Sequence, residues 1–258
     1  MNNLKYIFII PYRDRIEHKT FFSIYMKYIL EDYDEETYDI VYCHQCDTRS
    51  FNRGAMKNIG FLYCKDKYPD KYKDLIYIFN DVDSIPYKKN LLHYDIEVGT
   101  IKHYYGYDFA LGGIFAIRGS DFEKINGFPN YWNWGFEDNV INKRVLKHGI
   151  HIDRTEFFDI FSKKILHFVD DFKKLISYNT YKNMINKKFE EPDGLNKITN
   201  LSYMREGEML NVTSFNTLYS EKNDRVIEHN IFNGNKVRLP RKGNAMKMNL
   251  FGNKKSMI

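Results

Sequence analysis

The sequence predicts an α/β fold whose central sheet is mostly parallel. Three short apolar segments, 6–10, 39–43 and 75–79, are rich in aliphatic and aromatic residues, as buried strands are. Two longer segments with apolar residues at helical spacing, 16–30 and 53–67, alternate with these strands. The order strand, helix, strand, helix, strand is typical of parallel βαβ units. Ligands bind such sheets beyond the carboxyl ends of the strands.

The composition is that of a globular protein with one large domain or two small ones. The 258 residues are 43% hydrophobic, and the net charge of +5 is spread along the chain. A mild, dispersed charge does not indicate a nucleic-acid-binding surface, although it suits an anionic substrate. No apolar segment is long enough for a signal-peptide core or a membrane span. Cys43 and Cys46 lack further zinc ligands, so we expect reduced thiols and a cytoplasmic, reducing compartment.

Two carboxylates follow the third predicted strand, in the sequence Asn80-Asp81-Val82-Asp83-Ser84. Side chains two residues apart at the end of a strand point the same way, and two buried carboxylates repel each other. A hard divalent cation, Mg²⁺ or Mn²⁺, that bridges to substrate phosphates would remove this repulsion. The alternative is a polar turn that caps the strand, because Asp-x-Asp alone is a weak motif.

Arginines lie near the ends of the first two predicted strands. Arg13 and Arg15 fall between the first strand and the first helix, and Arg53 begins the second helix. Phosphates often bind at such positions, although a solvated, salt-bridged turn explains the first two arginines equally well. Because the carboxyl ends of parallel strands meet at one edge, we expect Asp81, Asp83 and the three arginines to face one crevice.

The second half of the chain is less regular, and residues 87–108 are expected to form a winding connection. We predict a strand at 114–117, a short helix begun by a capping box from Ser120 to Glu123, a helix at 137–147 and a strand at 151–153. The paired glycines Gly112 and Gly113 allow a close approach of the backbone to a ligand, or form a turn. We expect the main domain to span 1–204, and residues 205–258 to form a polar, basic, partly ordered extension.

Both tryptophans of the chain lie in a loop rich in Gly, Asn and Pro, just before two acids. Trp132 and Trp134 precede Glu137 and Asp138, which open the helix at 137–147. Acids in a first helical turn often only offset the helix dipole. Aromatic faces beside carboxylates are, however, a common way to hold sugars. A positioned carboxylate can also remove a hydroxyl proton as a general base.

A series of short segments carries a family resemblance. The segments are Pro11 to Arg15, Phe51 to Arg53, Asn58 to Gly60, Asp81 to Asp83 with Ile85-Pro86, Gly112-Gly113, Asn126 to Asn130, Trp132 to Asp138 and Asp193 to Asn196. In order and spacing they resemble the β-1,4-galactosyltransferase family (glycosyltransferase family 7) over about residues 5–203. The resemblance implies a GT-A type fold and an inverting transfer of a sugar from a UDP-sugar to a sugar or glycan acceptor. It implies Mn²⁺ as the cofactor, with Mg²⁺ as an alternative.

The resemblance also implies roles for residues at matching positions. Asp83 and His167 would bind the metal, and Asp138 would be the catalytic base with Glu137 beside it. On residue pattern alone, a single histidine is more often structural than a ligand. The acceptor-binding residues implied are Trp132, Trp134, Glu137 and Asp138. The donor-binding residues implied are Pro11, Tyr12, Arg13, Arg15, Phe51, Arg53, Asp81, Val82, Lys102, Ala110, Gly113 and Trp134.

The chain departs from the family pattern at several positions. Family glycines are replaced by Asn133 and Phe136, an acid by Asn139, and a second metal ligand by Lys164. The metal site would therefore rely on Asp83, His167, donor phosphates and water. The small Ala110 leaves space for an N-acetyl group in the donor pocket, so the transferred sugar is expected to be galactose or N-acetylgalactosamine. The basic segment 163–190 is expected to close over the bound donor.

Two other function classes are open on the sequence alone. A non-catalytic module that binds UDP-sugar or glycan would use the same scaffold, and Phe136 and Lys164 leave room for it. A metal-dependent phosphohydrolase would use Asp81 or Asp83 to activate water. The transferase has a UDP-sugar donor and a sugar or glycan acceptor as its expected partners.

Overall fold

The computed structural model describes residues 3–160, 162–169, 173–185, 192–223 and 225–230. Its strands are β1 Tyr6–Tyr12, β2 Tyr38–Gln45, β3 Ile76–Asn80, β4 Ser84–Pro86, β5 Thr100–Gly106, β6 Ile114–Arg118, β7 His151–Asp153, β8 Phe158–Asp159, β9 Ile165–His167, β10 Lys173–Ser177, β11 Thr199–Glu206, β12 Met209–Asn216 and β13 Val226–Asn230. Its α-helices are α1 Ile16–Ile29, α2 Arg53–Lys67, α3 Gly119–Lys124, α4 Glu137–Lys147 and α5 Tyr178–Ile185.

The central sheet has nine strands within the part of the chain that the structure describes. Eight follow the order β11-β12-β2-β1-β3-β6-β5-β7, and β8 pairs with β5. The pairs β1–β2, β1–β3, β12–β2, β5–β7 and β5–β8 are parallel. The strand β6 runs antiparallel to β3 and to β5, and β11 is antiparallel to β12. The predicted α/β fold with a mostly parallel sheet is therefore confirmed.

The central strand β1 is buried along its whole length because helices cover both faces of the sheet. Ile7 and Ile9 pack with α2 and α4, whereas Phe8 and Ile10 pack with α1 on the other face. A strand buried on both faces has a continuous apolar sequence rather than an alternating one. Since β1, β2 and β3 are parallel, the residues that follow them meet at one edge of the sheet.

Two predicted elements of the second half are wrong. The connection 87–108 contains β5, whose buried His103 obscured the strand pattern; this imidazole makes hydrogen bonds at 3.1 Å to the carbonyls of Tyr105 and Gly112. The helix α3 begins after Arg118 with no side-chain cap, so Ser120 lies inside the first turn and forms no capping box. A polar side chain that is buried because backbone carbonyls satisfy it explains the first difference.

The structure differs from the predicted division of the chain after residue 204, which falls inside β11. The strand β12 pairs in parallel with β2, from Met209 opposite Tyr42 to Val212 opposite Gln45. The β11–β12 hairpin is thus part of the central sheet, and residues 231–258 of the expected extension lie outside the described residues. Among the described helices, none has the length and apolar character needed to cross a membrane.

Candidate active site

A cleft of about 290 Å³ lies at the edge where β1 and β3 end. The lining residues are Pro11, Arg13, Asp14, Arg15, Phe51, Arg53, Asp81, Val82 and Asp83. The prediction that two acids and three arginines face one crevice is confirmed. Asp14 was not predicted, and it has a φ of 49°, in the left-handed region.

Each acid at the end of β3 is paired with an arginine from another part of the edge. Arg15 Nη1 lies 3.5 Å from Asp83 Oδ2, and Arg53 Nε lies 3.6 Å from Asp81 Oδ1. Burial opposes the charge of Asp81, but the Lys57 ammonium and the Arg53 guanidinium hold the pKa of this carboxyl below its usual value. The cleft therefore presents fixed cations next to ionised acids, which suits a diphosphate accompanied by a divalent cation.

The two implied metal ligands lie next to each other. Strand β4 pairs with β9 so that Ser84 is opposite His167, and the Phe168 N–H donates to the Asp83 carbonyl at 2.9 Å. The Tyr105 hydroxyl is 2.8 Å from His167 Nδ1. Because this contact occupies Nδ1, Nε2 is the ring nitrogen left to bind a metal. Among the described side chains, no group of three or more His, Cys, Asp or Glu residues is arranged to hold a metal. A site with two protein ligands, one carboxylate and one imidazole, fits Mn²⁺ completed by phosphate and water.

Helix α4 opens with the two acids that follow the tryptophan loop. Glu137 is buried, and its Oε1 lies 3.2 Å from Arg53 Nη1. Asp138 packs against the backbone of Gly112 so closely that a Cβ there would lie 2.3 Å from its Oδ2. Burial raises the pKa of Asp138 to about 7. A carboxyl with that pKa is suited to proton transfer near neutral pH.

Lys57 belongs to the site and was missed by sequence analysis. Its Nζ lies 3.5 Å from Asp81 Oδ1 and 3.6 Å from Asp138 Oδ1, so one ammonium lies between the acid that ends β3 and the acid that opens α4. A lysine in an amphipathic helix is normally assigned to the solvent face. The signal was its spacing from Arg53, because residues four apart share one face of a helix.

Trp132 is a core residue, which contradicts the acceptor-binding role implied for it. Its ring stacks on Phe215 with centroids 5.6 Å apart and planes at 20°, and Arg49 lies over the same ring. The indole N–H donates to the Tyr219 carbonyl at 2.8 Å. Both the ring and its single hydrogen-bond donor thus have partners within the protein. The partner of the ring, Phe215, belongs to β12, far along the chain.

Trp134 is partly buried and lies in a separate aromatic and aliphatic cluster. Its backbone N–H donates to the Leu175 carbonyl at 2.8 Å, which joins the loop to β10. The cluster around it comprises Tyr131, Phe136, Val140, Ile176, Tyr181 and Met184. The Asn133 N–H next to it donates to the Phe51 carbonyl at 3.2 Å, so the loop is fixed to the wall of the cleft.

Two residues of the implied donor set do not line the cleft. The Tyr12 ring is buried against Tyr42 and His44, with centroids 6.4 and 5.2 Å away. Lys102 is turned to the side of the sheet, where its Nζ donates to the His93 carbonyl at 2.9 Å. Sequence position alone does not show which way a strand residue points, and the donor-binding roles of these two residues stay predictions.

Two other residues of that set lie at the site through their backbones. The Asp81 N–H donates to the Gly113 carbonyl at 3.1 Å, and the Leu111 N–H, next to Ala110, donates to the Asp138 carbonyl at 2.9 Å. Gly113 has a φ of 66°, and a Cβ on it would lie 2.4 Å from the Tyr105 carbonyl oxygen. The segment 110–113 therefore joins the end of β3 to the start of α4. The paired glycines allow close contact with Asp138 and Tyr105, and their predicted approach to a ligand stays a prediction.

The two positions at which the chain replaces family glycines have left-handed backbones. Asn133 has a φ of 69° and Phe136 a φ of 75°. Asparagine tolerates this conformation, but for a bulky residue it is strained. The buried Phe136 ring packs at 6.1 Å from Tyr181 of α5, and this contact helps to offset the strain.

A buried polar network supports the chain ahead of the tryptophan loop. The Asn58 amide of α2 donates to the Phe128 carbonyl at 2.8 Å and to Asn130 Oδ1 at 2.9 Å. The Asn130 amide in turn donates to Asp193 Oδ1 at 2.8 Å. These contacts explain why the segments around Asn58, Asn130 and Asp193 occur together, because each satisfies a buried polar group of the next.

Two family models match consecutive parts of the chain. Residues 1–95 match a model described as the N-terminal region of glycosyl transferase group 7, and residues 92–171 match one described as the N-terminal domain of galactosyltransferase. Similar solved structures include the catalytic domain of Drosophila β1,4-galactosyltransferase 7 in complex with xylobiose, with a TM-score of 0.62, 24% identity and coverage of 81% of this chain and 94% of that one. A mutant of that protein in complex with manganese, UDP-Gal and xylobiose has a TM-score of 0.61, 23% identity and the same coverage. These likenesses confirm the GT-A type fold.

Similar curated proteins are galactosyltransferases by name. The xylosylprotein 4-β-galactosyltransferase of Caenorhabditis elegans is 27% identical over 204 residues, which cover 74% of this chain and 68% of that protein. The β-1,4-galactosyltransferase 7 of Drosophila melanogaster is 32% identical, with 59% of this chain and 48% of that protein covered. The β-1,4-galactosyltransferase 1 of Bos taurus is also 32% identical, but only 38% of it is covered, so the chain spans less than half of these two relatives. With both family models matched in sequence order and the fold and cleft described above, the chain belongs to the β-1,4-galactosyltransferase family, glycosyltransferase family 7.

Proposed function

We propose that the protein is an inverting, metal-dependent glycosyltransferase. It transfers galactose or N-acetylgalactosamine from a UDP-sugar to a hydroxyl of a sugar or glycan acceptor. One observation carries this proposal: the arginine-lined cleft with Asp81 and Asp83 is joined, through Lys57, to a second carboxylate, Asp138, that lies outside the cleft lining. Donor activation and acceptor deprotonation need two such centres side by side. The names of the relatives support galactose as the first sugar to test.

The cleft residues bind and orient the donor in this proposal. Arg13, Arg15 and Arg53 hold the diphosphate, because guanidinium groups match phosphate oxygens in two hydrogen bonds at once. Val82 and Phe51 form the apolar wall for the nucleoside. Asp83 and His167 would hold the divalent cation, which when bound neutralises the diphosphate leaving group.

Asp138 is the general base of the proposed reaction. Its carboxylate takes the proton of the acceptor hydroxyl, whose oxygen then attacks the anomeric carbon in one displacement that inverts the configuration. Glu137 directly precedes Asp138 in the first turn of α4, and its ion pair with Arg53 fixes its side chain. It orients the acceptor beside the base. The segment 163–190 excludes water by closing over the donor; residues 170–172 and 186–190 of it lie outside the described residues.

The two tryptophans are expected to respond differently to truncation. Trp132→Ala should lower the free energy of unfolding by about 3–5 kcal/mol, because a buried, stacked indole is lost. Trp134→Ala should cost less stability and raise the acceptor KM by up to about tenfold, as expected when an aromatic face for a sugar is removed. Denaturant unfolding and acceptor titrations measure both. Equal stability losses, or an acceptor KM raised by Trp132→Ala alone, would contradict these roles.

A UDP-release assay tests the proposed function. UDP-galactose, UDP-N-acetylgalactosamine and UDP-glucose are each combined with Mn²⁺ and with xylose, glucose or N-acetylglucosamine acceptors. We expect UDP release only when donor and acceptor are both present, and a product whose anomeric centre is inverted by NMR. Release without acceptor would indicate a phosphohydrolase, and UDP binding by calorimetry without turnover would indicate a binding module. A retained anomeric centre would exclude the single displacement.

We also propose a reducing compartment, such as the cytoplasm, as the working environment. The support is the state of the cysteines: Cys43 and Cys64 are buried, and burial raises the pKa of both thiols, which favours the protonated, unreactive form. Full activity in millimolar dithiothreitol is the expected result, and activity that requires an oxidised protein would contradict it.

A further inference from the structure

Lys57 is a fully buried lysine whose ammonium lies between two carboxylates. The side chain has no exposed surface, and its Nζ lies 4.8 Å from the centroid of the Phe128 ring. Asp81 and Asp138, at 3.5 and 3.6 Å, are the acids that pair with it in the described part of the chain. Burial of an unpaired ammonium is strongly unfavourable, so these two acids account for the presence of a charge at this place.

The cations of α2 and the acids of the site form an alternating arrangement. Arg53 lies between Asp81 and Glu137, and Lys57 lies between Asp81 and Asp138. Each acid in the first turn of α4 therefore has its own cation from α2, and Asp81 is shared. Among the described residues, Lys57 is the ion-pair partner of Asp138.

We propose that Lys57 is the positioning residue for the base Asp138. Its ammonium holds the carboxylate against the Gly112 backbone, favours its ionised form, and fixes the start of α4 to the end of β3. The inference rests on the proposed function, in which Asp138 accepts the proton of the acceptor. Because Lys57 is buried beneath the carboxylates and does not line the cleft, it acts through Asp138 rather than by contact with the nucleotide.

The surroundings of Asp138 support this role. Burial raises its pKa, the Lys57 ammonium is the strongest group that opposes the rise, Glu137 and Asp81 add to the rise, and Arg53 opposes it. Removal of the lysine charge leaves two acids and one arginine facing the base. The proton is then held more tightly, and a higher pH is needed to free the carboxylate.

The variant Lys57→Met tests the proposal, since methionine is apolar and fills much of the same space. The acidic limb of the kcat/KM profile should move up by about one to two pH units. At pH 6 the variant should then be about tenfold or more below the parent, because each pH unit below the limb is a factor of ten. Lys57→Met also removes one cation from Asp81, but Asp81 keeps its pair with Arg53. The affinity for UDP with Mn²⁺ in calorimetry should therefore change by no more than a few-fold. Lys65→Met is the matched control, because Lys65 is a second acid-paired lysine of α2, bound to Glu123 outside the cleft, and its profile should not move.

A double variant separates positioning from a purely structural role. In the Asp138→Asn background, Lys57→Met should cause no further loss of turnover, because its effect passes through the carboxylate. In denaturant unfolding, Lys57→Met combined with Asp138→Asn should be more stable than Lys57→Met alone, since no carboxylate is left without its cation. Where the single variant fails to fold, this rescue by the double variant is still expected.

Independent, additive losses or an unmoved acidic limb would overturn the proposal. If the parent protein shows no turnover with any UDP-sugar, the proposed function fails, and the unfolding cycle alone then decides whether Lys57 and Asp138 are coupled. A cycle without coupling would overturn the inference even if the transferase activity is present.

Discussion

Asp138→Asn is expected to lower kcat by about 10² to 10⁴-fold and to remove the acidic limb of the pH profile. The amide keeps the shape of the side chain against Gly112 but cannot accept the proton of an attacking hydroxyl. In the parent protein, kcat/KM should fall as the pH drops through about 7, because burial raises the pKa of Asp138 to about 7 and only the deprotonated form is a base. Rates from UDP release between pH 5 and 9 measure both effects.

The nucleotide affinity of the Asp138→Asn protein should stay within a few-fold of the parent value, because Asp138 does not line the arginine cleft. Asp121→Asn is the matched control: Asp121 is a buried acid in the first turn of α3, and its carboxylate accepts the Gly99 N–H at 2.7 Å. An amide oxygen can accept the same hydrogen bond, so activity per folded molecule should be unchanged. Turnover of Asp138→Asn close to the parent rate would show that another group is the base.

Asp83→Ala is expected to reduce metal-dependent UDP binding by about 10²-fold or more. Outer-shell partners of metal ligands already contribute about 10- to 100-fold to metal affinity or activity, and a direct carboxylate ligand contributes at least as much. Calorimetry with UDP, with and without Mn²⁺, and the electron paramagnetic resonance of free Mn²⁺ provide readouts that do not depend on turnover. His167→Ala should have a similar effect, because the imidazole is fixed beside Asp83 by the β4–β9 pairing.

The double variant Asp83→Ala with His167→Ala should be little worse than either single variant, since each change alone disrupts the same ion site. Asp153→Asn is the matched control, because Asp153 ends another strand of the sheet and its carboxylate accepts the Thr155 N–H at 2.8 Å. The control should bind Mn²⁺ and UDP normally. Unchanged Mn²⁺ dependence in Asp83→Ala would assign the ion to other ligands.

The fold was predictable where burial dictates composition. The strands β1 and β3 and the helix α2 are apolar or periodic because they pack inside the sheet and its helical layers, and α2 was predicted with the bounds that the structure has. The strands β5 and β12 were not predicted. The polar His103 of β5 is buried because the fold brings the carbonyls of Tyr105 and Gly112 to its imidazole. Asn211 of β12 lies 3.0 Å from His44 of β2, a partner that is distant in sequence.

The candidate site likewise contains residues that the sequence predicts and residues that it does not. Asp81, Asp83 and the arginines follow strand ends, so the topology alone brings them together. The position of Lys57 depends on the distance between α2 and α4, which no local pattern sets. The choice between the two tryptophans depended on Phe215, the stacking partner that identifies Trp132 as part of the core.

Because Trp132 stacks on Phe215, the β11–β12 hairpin limits how far the chain can be truncated from its C-terminal side. A fragment that stops near residue 204 would retain every residue of the arginine cleft, yet it would uncover the Trp132 indole and leave one edge of β2 without its parallel neighbour. Bare strand edges favour aggregation, and a loosened indole would release the loop that presents Trp134. Expression and crystallisation fragments should therefore continue past Tyr219, even though the matched family region ends at residue 171.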